Sequence, residues 1–133
     1  MDSNTLLSLG FCMWKPFRKG IEKLAPENKG VYAYRSLTSL NLKVGSSDIT
    51  YIGRAMGTFH HIKHCLNEYL HPGRSNTTKL RIRRRALAER WQVSWLLTDS
   101  PDQMECDLLR QFYSEHGQLP KENMRWPPKC RPE

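Results

Sequence analysis

Two segments of this chain place a glycine beside a tyrosine within a run that has the character of a β-strand. They are GVYAYRS at residues 30–36 and ITYIGRA at residues 49–55. In the first segment Tyr32 and Tyr34 fall on one face, because side chains alternate with a period of two along a strand. Glycine weakens a strand interior and often marks the close approach of another backbone or of a ligand. The two segments therefore predict neighbouring strands that build one site.

Local signals in the rest of the chain predict a small sheet covered by helices. The turn residues at 45–48 join the two strands into a hairpin, and QVSWLLT at residues 92–98 predicts a third strand. Three helices are predicted before that strand: one within residues 17–30, one over 58–70, and one over 74–91 that is capped by Asn76 or Thr77. This order of elements is typical of an α+β domain.

The last predicted helix, from Ser100 to Gly117, carries a carboxylate on its apolar face. It begins with a favoured N-cap serine followed by proline. At helical spacing, Glu105 shares a face with three apolar residues: Leu108, Leu109 and Phe112. A carboxylate at the edge of a buried stripe is costly unless it is paired or binds a metal. Glu105 is therefore a candidate metal ligand, with a glutamate at the solvent margin or an arginine pair as alternatives.

The charge of the chain favours a polyanionic partner. With 21 Lys and Arg against 13 Asp and Glu in 133 residues, the formal net charge is +8. Such a basic domain points to nucleic acid first and to an acidic membrane surface second, although it is also compatible with a merely basic soluble domain. The basic run from Lys79 to Arg90 predicts phosphate contacts, with a solvated helix face as the alternative.

The cysteines and the apolar segments predict an intracellular protein without a membrane span. The four cysteines are scattered and form no CxxC pair, so reduced thiols are expected, in a cytoplasmic or nucleoid-associated protein. The apolar stretch from Leu6 to Trp14 is too short to cross a bilayer. Length predicts one domain over residues 1–133, with an N-terminal arm over 1–27 and a C-terminal tail over 126–133.

Three histidines cluster near the start of the second predicted helix. They are His60, His61 and His64, and their spacing of three or four residues is compatible with metal binding. DNA contact or proton relay is the favoured interpretation, because no HExxH-like carboxylate accompanies them.

The two glycine–tyrosine segments resemble the signature of the GIY-YIG nuclease family. GVY at residues 30–32 and YIG at residues 51–53 match its two short motifs. LNEYLHPG, TTKLRIRRRAL and ECDLLRQFYSEHGQLPKEN resemble, in the expected order, the helices and closing loop of small stand-alone members. The resemblance covers about residues 28–125, which would form the nuclease-like core.

This resemblance implies a fold, a reaction and a set of site residues. The fold would be a three-stranded antiparallel sheet flanked by helices, and the reaction would be hydrolysis of a DNA phosphodiester with one divalent cation. Glu105 would hold Mg²⁺ or Mn²⁺, and the ion would stabilise charge on the leaving oxygen. Tyr32 would position or activate the attacking water beside Tyr51. Asn123 would fix the final loop, and Tyr69 falls where family members carry His or Tyr.

The chain departs from the family pattern where an arginine should clamp the scissile phosphate. Counting forward from YIG puts His61 at that position, and counting backward from LNEYL, the favoured count, puts Cys65 there. Arginine matters because its planar fork binds phosphate by two hydrogen bonds and stays charged. Lys63, His64 or Arg54 is expected to replace it in part.

The sequence therefore predicts a metal-dependent DNA endonuclease that uses tyrosine-assisted attack by water. The alternatives are a nuclease-like DNA-binding module that cleaves weakly or not at all, and a basic scaffold in which the two motifs only pack. Specificity is expected to come from a homodimer or from a partner protein. Besides the residues above, His64 is predicted to relay a proton, and six residues are predicted to contact nucleic acid: Arg54, Lys63, Lys79, Arg81, Arg84 and Arg85.

Overall fold

The computed structural model describes residues 1–132 and gives an α+β fold with four helices around an antiparallel sheet. In chain order the elements are α1 (Ser3–Ser8), β1 (Lys15–Pro16), a 3₁₀ turn (Ile21–Lys23), β2 (Gly30–Asn41), β3 (Ser46–Ala55), α2 (Ile62–Leu70), α3 (Thr77–Ala88), β4 (Gln92–Leu97) and α4 (Pro101–His116). In the described residues, no helix is both long and apolar enough to cross a membrane.

The sheet has four strands in the order β1-β4-β2-β3, so the prediction of three strands is wrong by one edge strand. The β2–β3 hairpin and the pairing of β2 with β4 bring Tyr32 opposite Gly53 on one side and opposite Trp95 on the other. The additional strand is the two-residue β1, whose Lys15 pairs with Val93. Two residues are too few to show a period, and a strand containing proline is suited to a sheet edge.

The first half of the chain departs furthest from the predicted helices. The helix expected within residues 17–30 is reduced to the 3₁₀ turn, because Gly20 adopts φ = 102° in front of it and Pro26 follows it. Helix α2 begins at Ile62 rather than at residue 58, since His61 is its N-cap and accepts a hydrogen bond from the His64 N–H. By contrast, the cap of α3 at Asn76 and the end of α4 at Gly117 are confirmed.

Two apolar layers cover the two faces of the sheet. One contains Tyr32 and Tyr34 with residues of α2, α3 and the 3₁₀ turn. The other contains Val31 and Ala33 with the buried leucines and phenylalanine of α4, so the predicted apolar stripe of α4 is confirmed. The alternation of β2 therefore separates the tyrosines from α4. A site that uses both a tyrosine and a residue of α4 must lie at an edge of the sheet.

The cysteine expectation is wrong for one pair. Cys106 in α4 and Cys130 in the C-terminal tail form a disulfide, whereas Cys12 and Cys65 are free. The two partners are 24 residues apart, and it is the return of the tail along α4 that brings them together. The thiol argument for an intracellular protein therefore does not apply to this pair, since disulfides persist mainly in oxidising compartments.

Candidate active site

A cleft of about 330 Å³ lies where the edge strand β3 meets α4 and the C-terminal tail. The tyrosines reach it from one face of the sheet and α4 reaches it from the other, so this edge brings the two layers together. Residues separated widely in the sequence therefore face one space. The cleft is lined by Tyr32, Tyr51, Arg54, Thr78, Glu105 and residues 122–128.

Four tyrosines form a packed cluster, of which Tyr32 and Tyr51 line the cleft and the other two lie behind them. The Tyr32 hydroxyl donates to the Tyr69 hydroxyl across 3.3 Å, and the Tyr32 and Tyr51 ring centroids are 6.3 Å apart. Tyr34 and Tyr69 lie at 5.3 Å in an edge-to-face arrangement, which aromatic rings favour. Tyr69 is almost fully buried, so it supports Tyr32 from behind and does not line the cleft.

The two motif glycines are explained by packing within the protein. A Cβ at Gly53 would lie 2.7 Å from the Tyr32 hydroxyl and 2.8 Å from the Tyr51 ring. A Cβ at Gly30 would lie 2.4 Å from the Leu96 carbonyl oxygen of the neighbouring strand. The space at these glycines is therefore filled by tyrosine rings and by backbone, rather than left for a ligand. Glycine at 53 lets the two phenols lie at the mouth of the cleft.

The tyrosine hydroxyls are held in their neutral form. Burial, and after it the neighbouring phenols Tyr69 and Tyr51, raise the pKa of Tyr32 well above its ordinary value of 10.0. Burial likewise raises the pKa of Tyr51, and the charge of Glu105 adds to that effect. A neutral phenol that donates to Tyr69 still offers its oxygen as an acceptor. Tyr32 is therefore suited to hold a water molecule more than to remove its proton.

Glu105 presents a weakly compensated carboxylate to the cleft. The residue is 6% exposed, and its ion pair is to the Arg54 guanidinium, with Nη1 3.5 Å from Oε1. Burial raises the pKa of Glu105 to about 7; Arg54 lowers it in part and Asp102 adds to the rise. A buried carboxylate whose one ion pair is long gains more from a bound cation than a carboxylate with short ion pairs, because the cation adds the charge compensation that burial removed.

The donor set of the cleft fits one hard divalent cation. Mg²⁺ prefers oxygen ligands, keeps several waters and is commonly bound by one or two carboxylates together with substrate phosphate oxygens. Glu105 supplies one such carboxylate in a cleft with room for waters and a phosphate. Glu105 would therefore be the protein ligand of Mg²⁺ or Mn²⁺ at this position.

Glu122, the second buried carboxylate of the cleft, already has its cations. Its two oxygens lie 3.2 Å from Arg81 Nε and 3.2 Å from Arg85 Nη1. Its backbone N–H donates to the Thr50 carbonyl on β3 across 2.9 Å. Glu122 therefore joins α3 to the loop after α4, and it uses two of the arginines predicted to contact nucleic acid.

Asn123 fastens the same loop to the edge of the sheet. Its Nδ2 donates to the Ile52 carbonyl across 2.9 Å, and its Oδ1 accepts from the Ile52 N–H across 3.0 Å. These two bonds reproduce the pairing of a neighbouring strand and cover part of the edge of β3. The Asn123 side chain thereby sets the position of residues 124–128, which form one wall of the cleft.

Neither position where the family would place an arginine offers a substitute. The Cys65 side chain is 7% exposed among the tyrosines, and burial raises the pKa of its thiol to about 11. His61 is occupied in capping α2. The arginines that do line the cleft are Arg54 and Arg125. Of these, Arg54 was predicted from its position directly after YIG.

The other predicted residues lie outside the cleft. His64 contacts Glu68, with Nε2 3.5 Å from Oε1, and Lys79 contacts the same carboxylate across 3.0 Å. The Lys63 ammonium lies 3.6 Å from Glu27. Arg84 is exposed on α3. The structure therefore brings together Tyr32, Tyr51, Arg54, Glu105 and Asn123 but places His64, Lys63, Lys79 and Arg84 outside the cleft.

Sequence reasoning missed the wall of the cleft formed by the C-terminal tail. Trp126 packs on Tyr113 of α4 with ring centroids 5.4 Å apart, and the disulfide from Cys106 holds the tail further along the same helix. The usable signals were the tryptophan within a proline-rich segment and the even number of cysteines.

Comparison of the chain with protein-family models, with curated proteins and with solved structures finds no match. The GIY-YIG resemblance therefore stays a prediction, based on the motifs and on their order along the chain.

Proposed function

We propose that this protein hydrolyses DNA phosphodiester bonds with the help of one divalent cation. The observation that carries the proposal is the meeting of Tyr32, Tyr51 and Glu105 in one cleft, although they come from three elements on opposite layers of the sheet. Packing alone does not require a buried, weakly compensated carboxylate beside two phenols. The motif resemblance independently names the same three residues.

Each residue of the cleft has a role that its environment favours. In the reaction, the oxygen of a water attacks phosphorus and releases a proton to solvent, the bond to the leaving oxygen breaks, and that oxygen takes up a proton from solvent. Tyr32 accepts a hydrogen bond from the attacking water and orients it, since its own proton is directed to Tyr69. Glu105 would hold Mg²⁺ or Mn²⁺, which supplies electrostatic stabilisation of the leaving oxygen. Arg54, part-exposed beside Glu105, is positioned to contact a phosphate.

The charge distribution supports DNA as the substrate. Helix α3 begins beside the cleft, where Thr78 forms part of the lining, and carries basic residues away from it. Arg83 and Arg84 are exposed along this helix. Such contacts to phosphates give affinity and register without reading sequence, and they make binding strongly dependent on salt.

A second candidate function is DNA binding with weak cleavage or none. It is favoured by the absence of an arginine at positions 61 and 65, which are occupied by the helix-capping His61 and the buried thiol of Cys65. The loss of one well-placed phosphate donor costs on the order of a hundredfold in rate. The raised pKa of Tyr32 acts in the same direction, because the phenol is a poor proton acceptor.

A plasmid assay separates the two functions. Supercoiled DNA is incubated with the protein with and without Mg²⁺, alongside Glu105→Ala and the control Asp102→Ala, which removes a carboxylate one turn earlier on the same helix. We expect metal-dependent nicking that is lost in Glu105→Ala and kept in Asp102→Ala. Salt-sensitive gel shifts without nicking would support the binding module. Equal nicking by all three proteins would contradict the proposed site. If the protein neither nicks nor binds DNA, the scaffold interpretation is the one that fits.

A further inference from the structure

A second group of metal-ligating side chains lies at the start of α2, outside the cleft. His60 precedes the helix, and His64 and Glu68 follow at intervals of four residues, so the three side chains share one side. One ligand atom from each lies within 4.8 Å of the others. The two imidazole rings are 4.9 Å apart, and His64 Nε2 is 3.5 Å from the Glu68 carboxylate.

These distances are close to those of ligands on one ion. Two ligands at about 2.1 Å from a tetrahedral zinc lie about 3.4 Å from one another. The His64–Glu68 pair already has that separation, and His60 needs only a small movement because it is exposed and precedes the helix. Two imidazoles and one carboxylate suit zinc and similar transition metals, whereas Glu105 offers oxygen alone.

Two neighbouring groups act on this cluster, and one of them competes with a metal ion for Glu68. His61 directs its Nδ1 to the His64 N–H, so it caps the helix and fixes the backbone that carries His64. The remaining contact is Lys79, whose ammonium lies 3.0 Å from Glu68. A cation therefore already rests on this carboxylate, and a divalent ion would have to displace it.

We propose that His60, His64 and Glu68 form a binding site for Zn²⁺ or a similar transition-metal ion, separate from the cleft. The site has three protein ligands, and water completes the coordination of the ion. The proposal does not depend on the nuclease function, since no residue is shared with the cleft.

Cobalt titration tests the site directly. Untagged protein carrying Glu105→Gln, which removes the carboxylate of the cleft, is titrated with Co²⁺ in excess Mg²⁺ and followed by visible absorption. We expect one equivalent of Co²⁺ to bind with the spectrum of a four- or five-coordinate ion and to be displaced by Zn²⁺. His60→Ala, His64→Ala and Glu68→Gln should each weaken binding by at least about tenfold. The matched control His71→Ala, which removes an exposed histidine just after α2, should leave it unchanged.

Lys79→Met sharpens the test. Removal of the competing ammonium should strengthen Co²⁺ binding by up to about fivefold, the range of a partly exposed ion pair. The proposal is overturned if His64→Ala binds Co²⁺ as tightly as its parent, or if the parent does not bind. It is also overturned if the spectrum carries the strong charge-transfer bands of a cysteine thiolate. Circular dichroism of each variant confirms that the helices are intact.

Discussion

Glu105 and Glu122 line the same cleft, and both are buried, yet their surroundings are opposite. Glu122 is 4% exposed and is held between Arg81 and Arg85 at 3.2 Å each. Glu105 is 6% exposed and has only the 3.5 Å contact to Arg54, and burial raises its pKa to about 7. The first carboxylate is held by two short ion pairs within the protein, whereas the second has a single, longer one.

Under the proposed function, this difference favours Glu105 over Glu122 as the carboxylate that takes part in the reaction. Burial alone does not distinguish the two residues, and neither does membership of the cleft. Charge compensation distinguishes them, because a carboxylate that is already paired with two arginines gains little from a metal and loses two partners if it moves.

The two glutamates should differ most in nicking activity. With the proposed function, Glu105→Gln removes the metal ligand and should lower the Mg²⁺-dependent nicking rate by about a thousandfold, since a bound metal contributes several kcal/mol to transition-state stabilisation. Glu122→Gln should lower it by less than about tenfold. Initial rates on supercoiled plasmid give the comparison. Equal losses in the two variants would show that the carboxylates have the same role.

The pH dependence of stability should reveal Glu105 in the absence of metal. Its pKa is about 7 in the folded protein against 4.5 for the free side chain. The folded state therefore holds this proton more tightly, and the resulting stabilisation is present below pH 4.5 and is lost as the pH rises to about 7. The loss is at most about 3 kcal/mol.

Urea unfolding of wild type and Glu105→Gln in EDTA measures this loss. The advantage of Glu105→Gln over wild type should grow between roughly pH 5 and roughly pH 8. A stability difference that does not change with pH would mean that the charge of Glu105 is compensated to the same extent as the charge of Glu122.

Substitutions of two tyrosines on one face of β2 test whether activity depends on the hydroxyl that lines the cleft or on the tyrosine cluster behind it. Tyr32→Phe removes the hydroxyl that lines the cleft and should lower the nicking rate by about a hundredfold with DNA affinity nearly unchanged. Tyr34→Phe removes a buried hydroxyl that has no hydrogen-bond partner within residues 1–132, so its activity should match wild type. Wild-type rates in Tyr32→Phe would remove that hydroxyl from the mechanism.

The smallest expected effect is on the stability of the Glu122 network. Glu122→Gln leaves Arg81 and Arg85 without their shared carboxylate and should lower the free energy of unfolding by about 1–2 kcal/mol, since both arginines are partly exposed. Glu105→Gln should not lower it at neutral pH. Chemical denaturation of both variants at one pH provides the measurement, and a destabilised Glu105→Gln would reverse the comparison.

Most of the regular structure was predictable, because it depends on local patterns. The period of two around Tyr32 and Tyr34 indicated β2, and the spacing of Glu105 with its apolar neighbours indicated the buried face of α4. The helix expected within residues 17–30 failed where Gly20 takes a left-handed backbone that the helix pattern does not reveal. The two-residue β1 carries too little sequence to show any pattern.

The cleft itself was predictable only in part. The resemblance named Tyr32, Tyr51 and Glu105, and the structure brings them together. The resemblance could not reveal that Cys106 bonds to Cys130, or that Arg81 and Arg85 form ion pairs with Glu122. Both depend on the path that the chain takes after α4.

The amino-acid sequence by itself determined strands β2, β3 and β4, helices α2, α3 and α4, the excess of positive charge and a glutamate on an apolar helix face. These follow from side-chain periodicity and composition, which act over a few residues. Only the tertiary structure decided that the tail forms a wall of the cleft, that Gly53 makes room for two phenols, and that Glu105 has one long ion pair where Glu122 has two shorter ones. Those outcomes depend on contacts between residues far apart in the chain, and burial and charge compensation arise only once the contacts form.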